Sequence, residues 1–271
     1  MPELPEVQTV VNYIRPKIVG KKLIKIKPVW SKVLQNFDEK ISKSLKNNII
    51  RDVYRRAKFI ILVFGKHIIA IHLRMTGKLY IADKNFHSKH ITAVFEFEGK
   101  DSLFFDDVRK FGRIYLYNDL KIIEAKHGPE PLDKKFSLPL FKKMLGLRKR
   151  NIKALLLDQS FLSGLGNIYV DESLWKSRIH PNSLANSIPN INVTALYNNI
   201  REILEDAIDK KGTTIIDFSV NGQSGRYAYH LNVYGKTEQS CSNCNYKIKK
   251  LKVSGRGTYV CSKCQKKYGK R

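Results

Sequence analysis

The chain has 271 residues, of which 42% are hydrophobic, so it is long enough for two domains and can bury a core. Its 50 Lys and Arg residues against 24 Asp and Glu residues give a net charge of +26 at pH 7. Such a charge favours nucleic acid as the partner, although a basic proteome or a ribosomal contact also produces it. No apolar stretch approaches the ~20 residues that a bilayer requires, and the acidic start lacks the features of a signal peptide. We therefore expect no membrane association and a location in the cytoplasm or nucleoid.

The opening MPELPEV predicts the start of a helix. Pro5 suits the first turn because its missing N–H would have no partner there, and Glu3 and Glu6 favour the positive end of the helix dipole. One apolar face follows at helical spacing: Val7, Val10, Val11 and Ile14. This account explains Pro5 and Glu6 but leaves Pro2 and Glu3 without a role.

The middle of the chain changes from strand-like to helical patterns. From Leu23 to about Tyr117 the apolar residues form short runs or alternate, as in LIKIKPV, FIILVF, HIIAIHL, TAVFEFE, SLFFDD and RIYLY. These patterns predict a strand-rich domain, a sandwich with one face of several strands in water. After GPEPL, a natural linker, helices are predicted around Phe141 and Leu155 and along a longer segment that Gly212 can end. Its apolar face comprises Leu196, Ile200, Ile203, Leu204, Ala207 and Ile208.

From about residue 237 to the end, the chain forms a short third unit that is rich in Lys, Gly and Cys. This unit contains all four cysteines. Cys241 and Cys244 form one C-x2-C pair, and Cys261 and Cys264 form the other, sixteen residues later. Two such pairs predict four thiolates around one zinc ion, with each pair on a turn at one end of a hairpin. Four protein ligands leave no open position, so the ion would be structural. Two disulfides are the alternative, which the absence of a secretion signal disfavours.

Two glycine-containing segments are candidate phosphate sites. Arg256 lies between two glycines at or near the predicted hairpin tip, where little would block a phosphate; alternatively, this is a solvated turn. In SGLGNIYVDE, Asn167 stands where a helix N-cap is expected, so that backbone N–H groups would point toward an anion. A plain helix–turn–helix with glycines for tight packing explains that segment equally well.

Seven motifs in chain order resemble the formamidopyrimidine-DNA glycosylases, which are bacterial base-excision repair enzymes. They are MPELPEV, RRAKF, HLRMTGKL, DVRKFG, GPEPL, GLGNIYVDE and the four-cysteine pattern, collinear from residue 2 to residue 264. The resemblance implies an α+β multidomain fold: an N-terminal β-sandwich with an N-terminal helix, a helical domain with a helix-two-turn-helix, and a C-terminal zinc-finger hairpin. The corresponding domains are 1–131, 132–236 and 237–271.

The resemblance gives the opening motif a chemical role. In the family the initiator Met is removed and the proline nitrogen attacks C1′ of the damaged nucleotide, which makes Pro2 the nucleophile. A terminal proline is a secondary amine that can form an iminium, and an α-amino pKa of roughly 8 leaves a useful fraction unprotonated at neutral pH. Glu3 matches the family's acid/base. Lys58 matches the catalytic lysine that reaches the lesion's phosphate and base, rather than a solvated surface charge, and Arg256 matches the zinc-finger arginine that grips phosphates and assists the last elimination.

The resemblance also implies the DNA contacts. An enzyme that acts on a base must take it out of the duplex, at a cost of a few kcal/mol. Three inserted side chains would fill the gap: Met75 as an apolar wedge, Arg109 as a donor to the orphaned cytosine, and Phe111 for stacking. Taken alone, Met75 and Phe111 suggest core residues. Three further positions match family contacts to DNA: His90, Arg148 and Asn167.

The predicted function is therefore removal of oxidised purines from damaged duplex DNA by a glycosylase and lyase that holds one structural Zn²⁺ and acts as a monomer without an obligate protein partner. An endonuclease VIII type enzyme for oxidised pyrimidines is one alternative. Leu4, where that group usually has Gly, and the segment SVNGQSGRYAYHLNVYGK, which resembles the purine-lesion recognition loop, favour oxidised purines. A non-catalytic basic zinc-ribbon protein is the other alternative, and it explains the charge and the cysteines but not Pro2, Glu3 and Lys58.

Overall fold

The computed structural model describes residues 1–37, 43–214, 219–220 and 223–269. The chain divides into two compact units. Unit 1 comprises Met1–Ala125 and Lys210–Ala228, and unit 2 comprises Lys126–Asp209 and Tyr229–Arg271. The recognition segment predicted at 219–236 lies partly on residues 221–222, outside the described residues.

Unit 1 contains two antiparallel-rich sheets and one long helix, α1 (Leu4–Ile18). The four-stranded sheet has the order β1-β7-β8-β6, and the five-stranded sheet has the order β2-β9-β5-β4-β3. The strands are β1 Leu23–Pro28, β2 Leu34–Gln35, β3 Asp52–Arg56, β4 Phe59–Phe64, β5 His67–His72, β6 Lys78–Asp83, β7 Ile91–Phe97, β8 Asp101–Asp106 and β9 Arg113–Tyr117. The described residues of the unit also include a short helix α2 (Lys121–Glu124) and a two-stranded ribbon, β10 (Ser219–Val220) with β11 (Gln223–Ser224).

The main core of unit 1 explains why some strands alternate and others are continuously apolar. β7 is buried on one face only, so Phe95 and Phe97 enter the core while Glu96 remains partly exposed. β4 is apolar throughout because both of its faces are covered. Ile60 and Leu62 belong to the main core, which also takes the apolar face of α1, and Ile61 packs in a second cluster on the other side. The predicted strand-rich sandwich is confirmed.

Unit 2 is helical with a C-terminal hairpin. Its helices are α3 Leu138–Gly146, α4 Ile152–Leu157, α5 Asn167–Lys176 and α6 Asn190–Asp209. The predicted face of α6 is buried from Leu196 to Ala207, while Ile208 at its end is only half-buried. Two turns join α4 to α5, with Phe161 and Leu162 donating backbone hydrogen bonds to Asp158. This is the helix-two-turn-helix that the sequence predicts.

The C-terminal hairpin pairs β12 (Lys249–Val253) with β13 (Arg256–Val260). Val233, Ile248, Cys241 and Cys261 form a small buried cluster beneath it, against which Trp175 of α5 packs. Residues 237–269 thus belong to the same compact unit as the helices, whereas 210–228 belong with the sandwich. The three domains expected at 1–131, 132–236 and 237–271 stay a prediction, and the compact units follow different limits because the hairpin rests on α5.

Among the described residues, no helix is long and apolar enough to cross a membrane.

Candidate functional site

The start of α1 fixes Pro2 and Glu3 in a buried position. Glu3 is the N-cap, with extended φ and ψ of −104° and −170°, and only 3% of it is exposed. Its backbone N–H donates to Glu6 Oε2 at 2.8 Å, which satisfies one of the N–H groups that a helix start leaves without partners. Pro5 lies in the first turn, as predicted. Pro2 immediately precedes this cap and is buried.

Glu6 does more than complement the helix dipole, which is the role that its position suggests. Only 2% of it is exposed, and its second oxygen, Oε1, accepts from the backbone N–H of Thr213 at 2.8 Å. Gly212, beside Thr213, has φ +77°, and a Cβ there would lie 2.8 Å from Glu6 Oε1. The Glu6 carboxylate therefore ties the segment that leads toward β10 to the helix end that carries Pro2 and Glu3.

Lys58 lies in the tight turn between β3 and β4, at the residue before β4 begins. It is only 6% exposed, so the alternative of a solvated surface lysine is wrong. Arg55 supports this turn because its Nη1 donates to the Ala57 carbonyl at 2.9 Å. Arg55 Nε donates to Gln8 Oε1 at 3.1 Å, which connects the turn to α1. The structure thus fixes Lys58 on a hairpin that is hydrogen-bonded to the helix carrying Pro2 and Glu3.

Met75, Arg109 and Phe111 form one exposed cluster, which we call the wedge. Met75 is 44% exposed and Phe111 is 47% exposed, so the core role that their residue types suggest is wrong. Arg109 Nη1 lies 3.1 Å from Met75 Sδ, and its guanidinium carbon lies 4.8 Å from the centroid of the Phe111 ring. The loops after β5 and after β8 thus bring three residues from two distant motifs together.

His90 is partly exposed in the turn before β7. The Ser88 hydroxyl accepts from the His90 backbone N–H at 3.3 Å and donates to Asp106 Oδ2 at 2.5 Å. The His90 carbonyl accepts from the backbone N–H of Asp107 at 2.9 Å. These bonds use the main chain of His90, so the contact of its imidazole with DNA stays a prediction.

In unit 2, Asn167 is the first residue of α5 rather than its N-cap. Gly166 is the cap, with φ −139° and ψ −161°, and it provides no side-chain cap, so the predicted position of the helix start was wrong by one residue. The Asn167 side chain is used differently, because its Nδ2 donates to the Gly257 carbonyl at 2.9 Å. The start of α5 is thereby joined to the hairpin tip, where exposed Arg256 follows Gly255 with φ +77°.

A fully buried ion pair, which the sequence analysis did not predict, packs against strand β13 of the hairpin. Lys153 Nζ lies 2.6 Å from Asp171 Oδ1, and both side chains have an exposed fraction of 0%. Lys153 also donates to Thr258 Oγ1 at 2.8 Å, and Asp171 Oδ2 accepts from the Tyr259 N–H at 3.0 Å. Burial raises the pKa of Asp171 to about 6, although the ammonium of Lys153 opposes this. The pair holds the strand that begins with Arg256 against α4 and α5.

Glu172, the next residue of α5, holds the segment that enters the hairpin unit. It is 1% exposed, and its oxygens accept from the backbone N–H groups of Asn232, Val233 and Tyr234, each at 2.9 Å. Buried carboxylates require such partners, since an unpaired one is costly. Two adjacent acidic residues of α5 therefore hold strand β13 and the segment that leads into the cysteine-bearing hairpin.

Arg148 is exposed just beyond α3, and its backbone carbonyl accepts from Asn186 at 3.2 Å. Arg150 in the same basic run is engaged, with Nη1 2.7 Å from Asp158 Oδ2. The Asp158 carboxylate thus engages Arg150 in this run, and the contact of Arg148 with DNA stays a prediction.

The four cysteines form a cluster whose geometry fits one metal ion. All four Sγ atoms lie within 4.8 Å of one another, and the pairs Cys244–Cys261 and Cys241–Cys264 are separated by 3.4 and 3.9 Å. Sulfurs at the corners of a tetrahedron with metal–sulfur bonds of about 2.3 Å lie about 3.8 Å apart. The four cysteines are free thiols in the structure, so the disulfide alternative is not realised. The cluster is therefore suited to bind a metal ion.

The surroundings of the cluster favour a thiolate at one position. Burial opposes ionisation of Cys241, but hydrogen bonds from Trp175, from the backbone of Asn243 and from the neighbouring thiols of Cys261 and Cys264 together outweigh it and lower its pKa to about 7. Trp175 Nε1 donates to Cys241 Sγ at 3.4 Å. Metal ligation requires the thiolate, so this donor also belongs to the site as a supporting partner.

Two family models match the chain. The formamidopyrimidine-DNA glycosylase N-terminal domain matches residues 1–114, and the formamidopyrimidine-DNA glycosylase H2TH domain matches residues 127–219. The chain belongs to the formamidopyrimidine-DNA glycosylase family. It is accordingly a DNA glycosylase of base-excision repair.

Relatives and solved structures of this family match over nearly the full length. The formamidopyrimidine-DNA glycosylase of Protochlamydia amoebophila is 40% identical over 276 residues, which cover 98% of this chain and all of that protein. The enzyme of Lactobacillus gasseri is 40% identical over 99% of this chain and all of that protein. A crystal structure of a Lactococcus lactis Fpg mutant with Fapy-dG-containing DNA has a TM-score of 0.92 at 38% identity, covering 98% of this chain and all of that chain. The complex of Lactococcus lactis Fpg with abasic-site DNA has a TM-score of 0.91 at the same identity and the same coverage of both chains.

Membership of the formamidopyrimidine-DNA glycosylase family accounts for the distribution of the predicted site residues. Unit 1 carries Pro2, Glu3, Lys58, His90 and the wedge, and unit 2 carries Arg148, Asn167, Arg256 and the cysteines. The resemblance predicted these residues from motifs. It did not predict the buried residues that hold them in place, which are Lys153, Glu172 and Asp107.

Proposed function

We propose that this enzyme removes oxidised purines, formamidopyrimidine and 8-oxoguanine, from duplex DNA and then cleaves the strand by β- and δ-elimination. Three features support the proposal: family membership, the lesion-containing DNA in structures of its relatives, and the net charge of +26. The observation that carries it is the buried pair Pro2–Glu3 at the capped start of α1. The enzyme acts as a monomer in the cytoplasm, where bacterial DNA lies.

Pro2 acts as the nucleophile once the residue before it is removed. Its secondary amine attacks C1′ of the damaged nucleotide, the bond from C1′ to the base breaks, and the base leaves with a proton. Opening of the sugar ring then gives an iminium between Pro2 and C1′, which makes the 2′ proton acidic enough for elimination of the phosphates. Glu3, 3% exposed and adjacent to Pro2, transfers the protons that ring opening and elimination require.

Cationic side chains stabilise the phosphates around the lesion. Lys58 and Arg256 neutralise phosphate charge, and Asn167 and Arg148 add contacts along the backbone, as does His90. Arg256 also assists the second elimination, in which a phosphate leaves. A basic side chain near a leaving phosphate lowers the barrier because negative charge develops there.

The wedge fills the space that the flipped nucleotide leaves. Met75 enters the stack, Phe111 stacks on an adjacent base, and the guanidinium of Arg109 donates to the orphaned cytosine. Their exposure of 44% at Met75 and 47% at Phe111 supports this use, since such apolar surface is otherwise unfavourable in water.

We propose zinc as the metal of the cysteine cluster. Four thiolates in tetrahedral reach are the ligand set of structural zinc sites, and all four ligand positions are provided by protein. The ion would hold the turns at one end of the β12–β13 hairpin, whose opposite end presents Arg256.

Borohydride trapping tests the proposed function. The protein without Met1 is incubated with duplexes that contain 8-oxoguanine or an abasic site, and sodium borohydride reduces any imine to a stable covalent adduct. We expect adducts with both duplexes and none when an uncleaved tag blocks Pro2. Full cleavage by the blocked protein would refute the proposal, and an adduct with the abasic site but none with 8-oxoguanine would favour the endonuclease VIII type.

A further inference from the structure

Two loops carry the wedge, and a single buried carboxylate joins them. The first loop runs from Leu73 to Gly77 between β5 and β6, and the second runs from Asp107 to Gly112 between β8 and β9. Asp107 is 1% exposed. Its Oδ1 accepts from the Thr76 hydroxyl at 2.5 Å, so the carboxylate of one loop binds the hydroxyl of the other.

The same carboxylate shapes its own loop. Oδ1 also accepts from the Arg109 backbone N–H at 3.2 Å, and Oδ2 accepts from the Gly112 N–H at 2.7 Å. The Arg109 backbone nitrogen also lies 3.3 Å from Thr76 Oγ1. The Thr76 hydroxyl, the Asp107 carboxylate and the Arg109 backbone N–H are therefore all hydrogen-bonded to one another. Arg109 thus reaches Asp107 through its main chain, while its guanidinium lies against Met75 and Phe111.

Two glycines allow both loops to rest on one buried ring, that of Phe105. A Cβ at Gly77 would lie 2.8 Å from Phe105 Cε2 and 2.5 Å from the Leu73 carbonyl oxygen. A Cβ at Gly112 would lie 2.3 Å from Phe105 Cζ and 3.0 Å from Asp107 Oδ2. Because real Cβ atoms are not found this close, both positions require glycine, and both loops are packed against the same support.

The backbone of each loop also contains a strained residue. Arg74 has φ +57° and Lys110 has φ +56°, in the left-handed region that residues with a side chain avoid. Such conformations persist where surrounding contacts determine them, and they cluster at functional sites. In this chain the Arg74 backbone N–H donates to His72 Nδ1 at 3.0 Å, and the Lys110 backbone N–H donates to the Asp107 carbonyl at 3.2 Å.

We propose that Thr76 and Asp107 are positioning residues that assemble the wedge before DNA binds and so set the preference for the base opposite the lesion. The inference rests on the proposed function. A wedge that is already assembled holds the guanidinium of Arg109 where its donors meet the orphaned cytosine, so loosening the wedge weakens the contact with cytosine more than a contact with any other base. In this proposal Thr76 and Asp107 act through Arg109 and its neighbours rather than through a DNA contact of their own.

A purely structural role for the same network predicts a different outcome. If Asp107 only stabilises the sandwich, its loss lowers the melting temperature and changes cleavage equally for every opposite base. The ratio of cleavage rates between two opposite bases therefore separates positioning from stability.

The decisive variants are Thr76→Val, which removes the hydroxyl at nearly constant shape, Thr76→Ser, which keeps it, and Asp107→Asn. Asp101→Asn is the matched control, since Asp101 lies at the opposite end of β8, the strand that leads to Asp107, and is partly exposed, 3.5 Å from Lys21. Single-turnover cleavage is measured with 8-oxoguanine opposite each of the four bases. The ¹³C-methyl resonance of Met75 in the free protein reports on the wedge directly.

We expect the cytosine-over-adenine rate ratio to fall by about two- to tenfold in Thr76→Val and Asp107→Asn. Thr76→Ser and Asp101→Asn should retain the wild-type ratio. The Met75 methyl resonance should move toward the position of an unstructured methionine only in Thr76→Val and Asp107→Asn. An unchanged ratio in Thr76→Val, or an unchanged Met75 resonance in both variants, would overturn the inference. Borohydride trapping of the wild-type protein is run in parallel, because its failure would reject the proposed function instead.

Discussion

Removal of one partner of the buried Lys153–Asp171 pair should destabilise unit 2 strongly. Neither side chain is exposed, so solvent does not screen the 2.6 Å contact. Lys153→Met leaves a carboxylate without its counter-charge and breaks the bond to Thr258, and breaking a buried pair in this way costs about 3–5 kcal/mol. For a domain of this size that corresponds to a loss of about 6–20 °C in melting temperature.

Calorimetry of the zinc-loaded protein measures this effect, with Lys149→Met as the control because Lys149 is exposed in the same basic run. Replacing both partners, as in Lys153→Met with Asp171→Leu, should restore much of the stability, since well-packed apolar residues often replace a buried pair without loss. A melting temperature for Lys153→Met within about 1 °C of the Lys149→Met control would refute the argument, because surface substitutions alone change stability by only about 0.5 kcal/mol.

The pair also gives unit 2 a pH dependence of defined sign. Burial raises the pKa of Asp171 from 3.8 to about 6, so between these pH values the folded state binds more protons than the unfolded state. The contribution of Asp171 to the free energy of unfolding is therefore fully present below pH 4 and falls as pH rises through 6. Asp171→Asn should flatten this part of the stability profile, and a steeper fall in the variant would contradict the assignment.

Three further predictions concern metal and DNA. Chelation, or Cys261→Ser, should weaken binding to abasic DNA while the sandwich remains folded by circular dichroism, and unchanged affinity would mean that the metal does not organise the hairpin. Arg256→Ala and Lys58→Ala should each weaken binding to every duplex and reduce the salt slope by about one unit, with Lys252→Ala as a hairpin control; an unchanged slope would remove the phosphate contact. Arg109→Ala should reduce discrimination by the opposite base by about 1–3 kcal/mol in cleavage assays, and a uniform loss with all four partners would make Arg109 another phosphate contact.

Periodicity and spacing predicted much of the fold because they reflect burial directly. The helical face of α1, the apolar runs of β4 and β5 and the C-x2-C pairs each leave a local pattern in the sequence. β3, DVYRR, and β6, KLYIAD, were not predicted as strands, because each has only one buried residue and neither shows a regular alternation of buried and exposed positions. These two segments are strands because β3 pairs with β4 and β6 pairs with β8, and such long-range pairing is not visible in a local sequence pattern.

The supporting residues of the site were not predictable in the same way. Lys153 stands in the run LRKRNIK, where a lysine normally indicates a solvated face, and only the fold places Asp171 against it. Asp107 likewise belongs to a recognised motif, yet its partner Thr76 is 31 residues away. Motif resemblance thus predicts which side chains would contact the substrate, whereas the groups that hold those side chains depend on long-range pairing.

The most direct test of the account is the identity of the residue that carries the trapped adduct. After borohydride reduction with 8-oxoguanine DNA, the protein is digested and the modified peptide is sequenced by mass spectrometry. We predict that the remnant of the deoxyribose lies on the nitrogen of Pro2, in a peptide that begins at this residue. An adduct on the amine of Lys58, with the Pro2 peptide unmodified, would contradict the central claim.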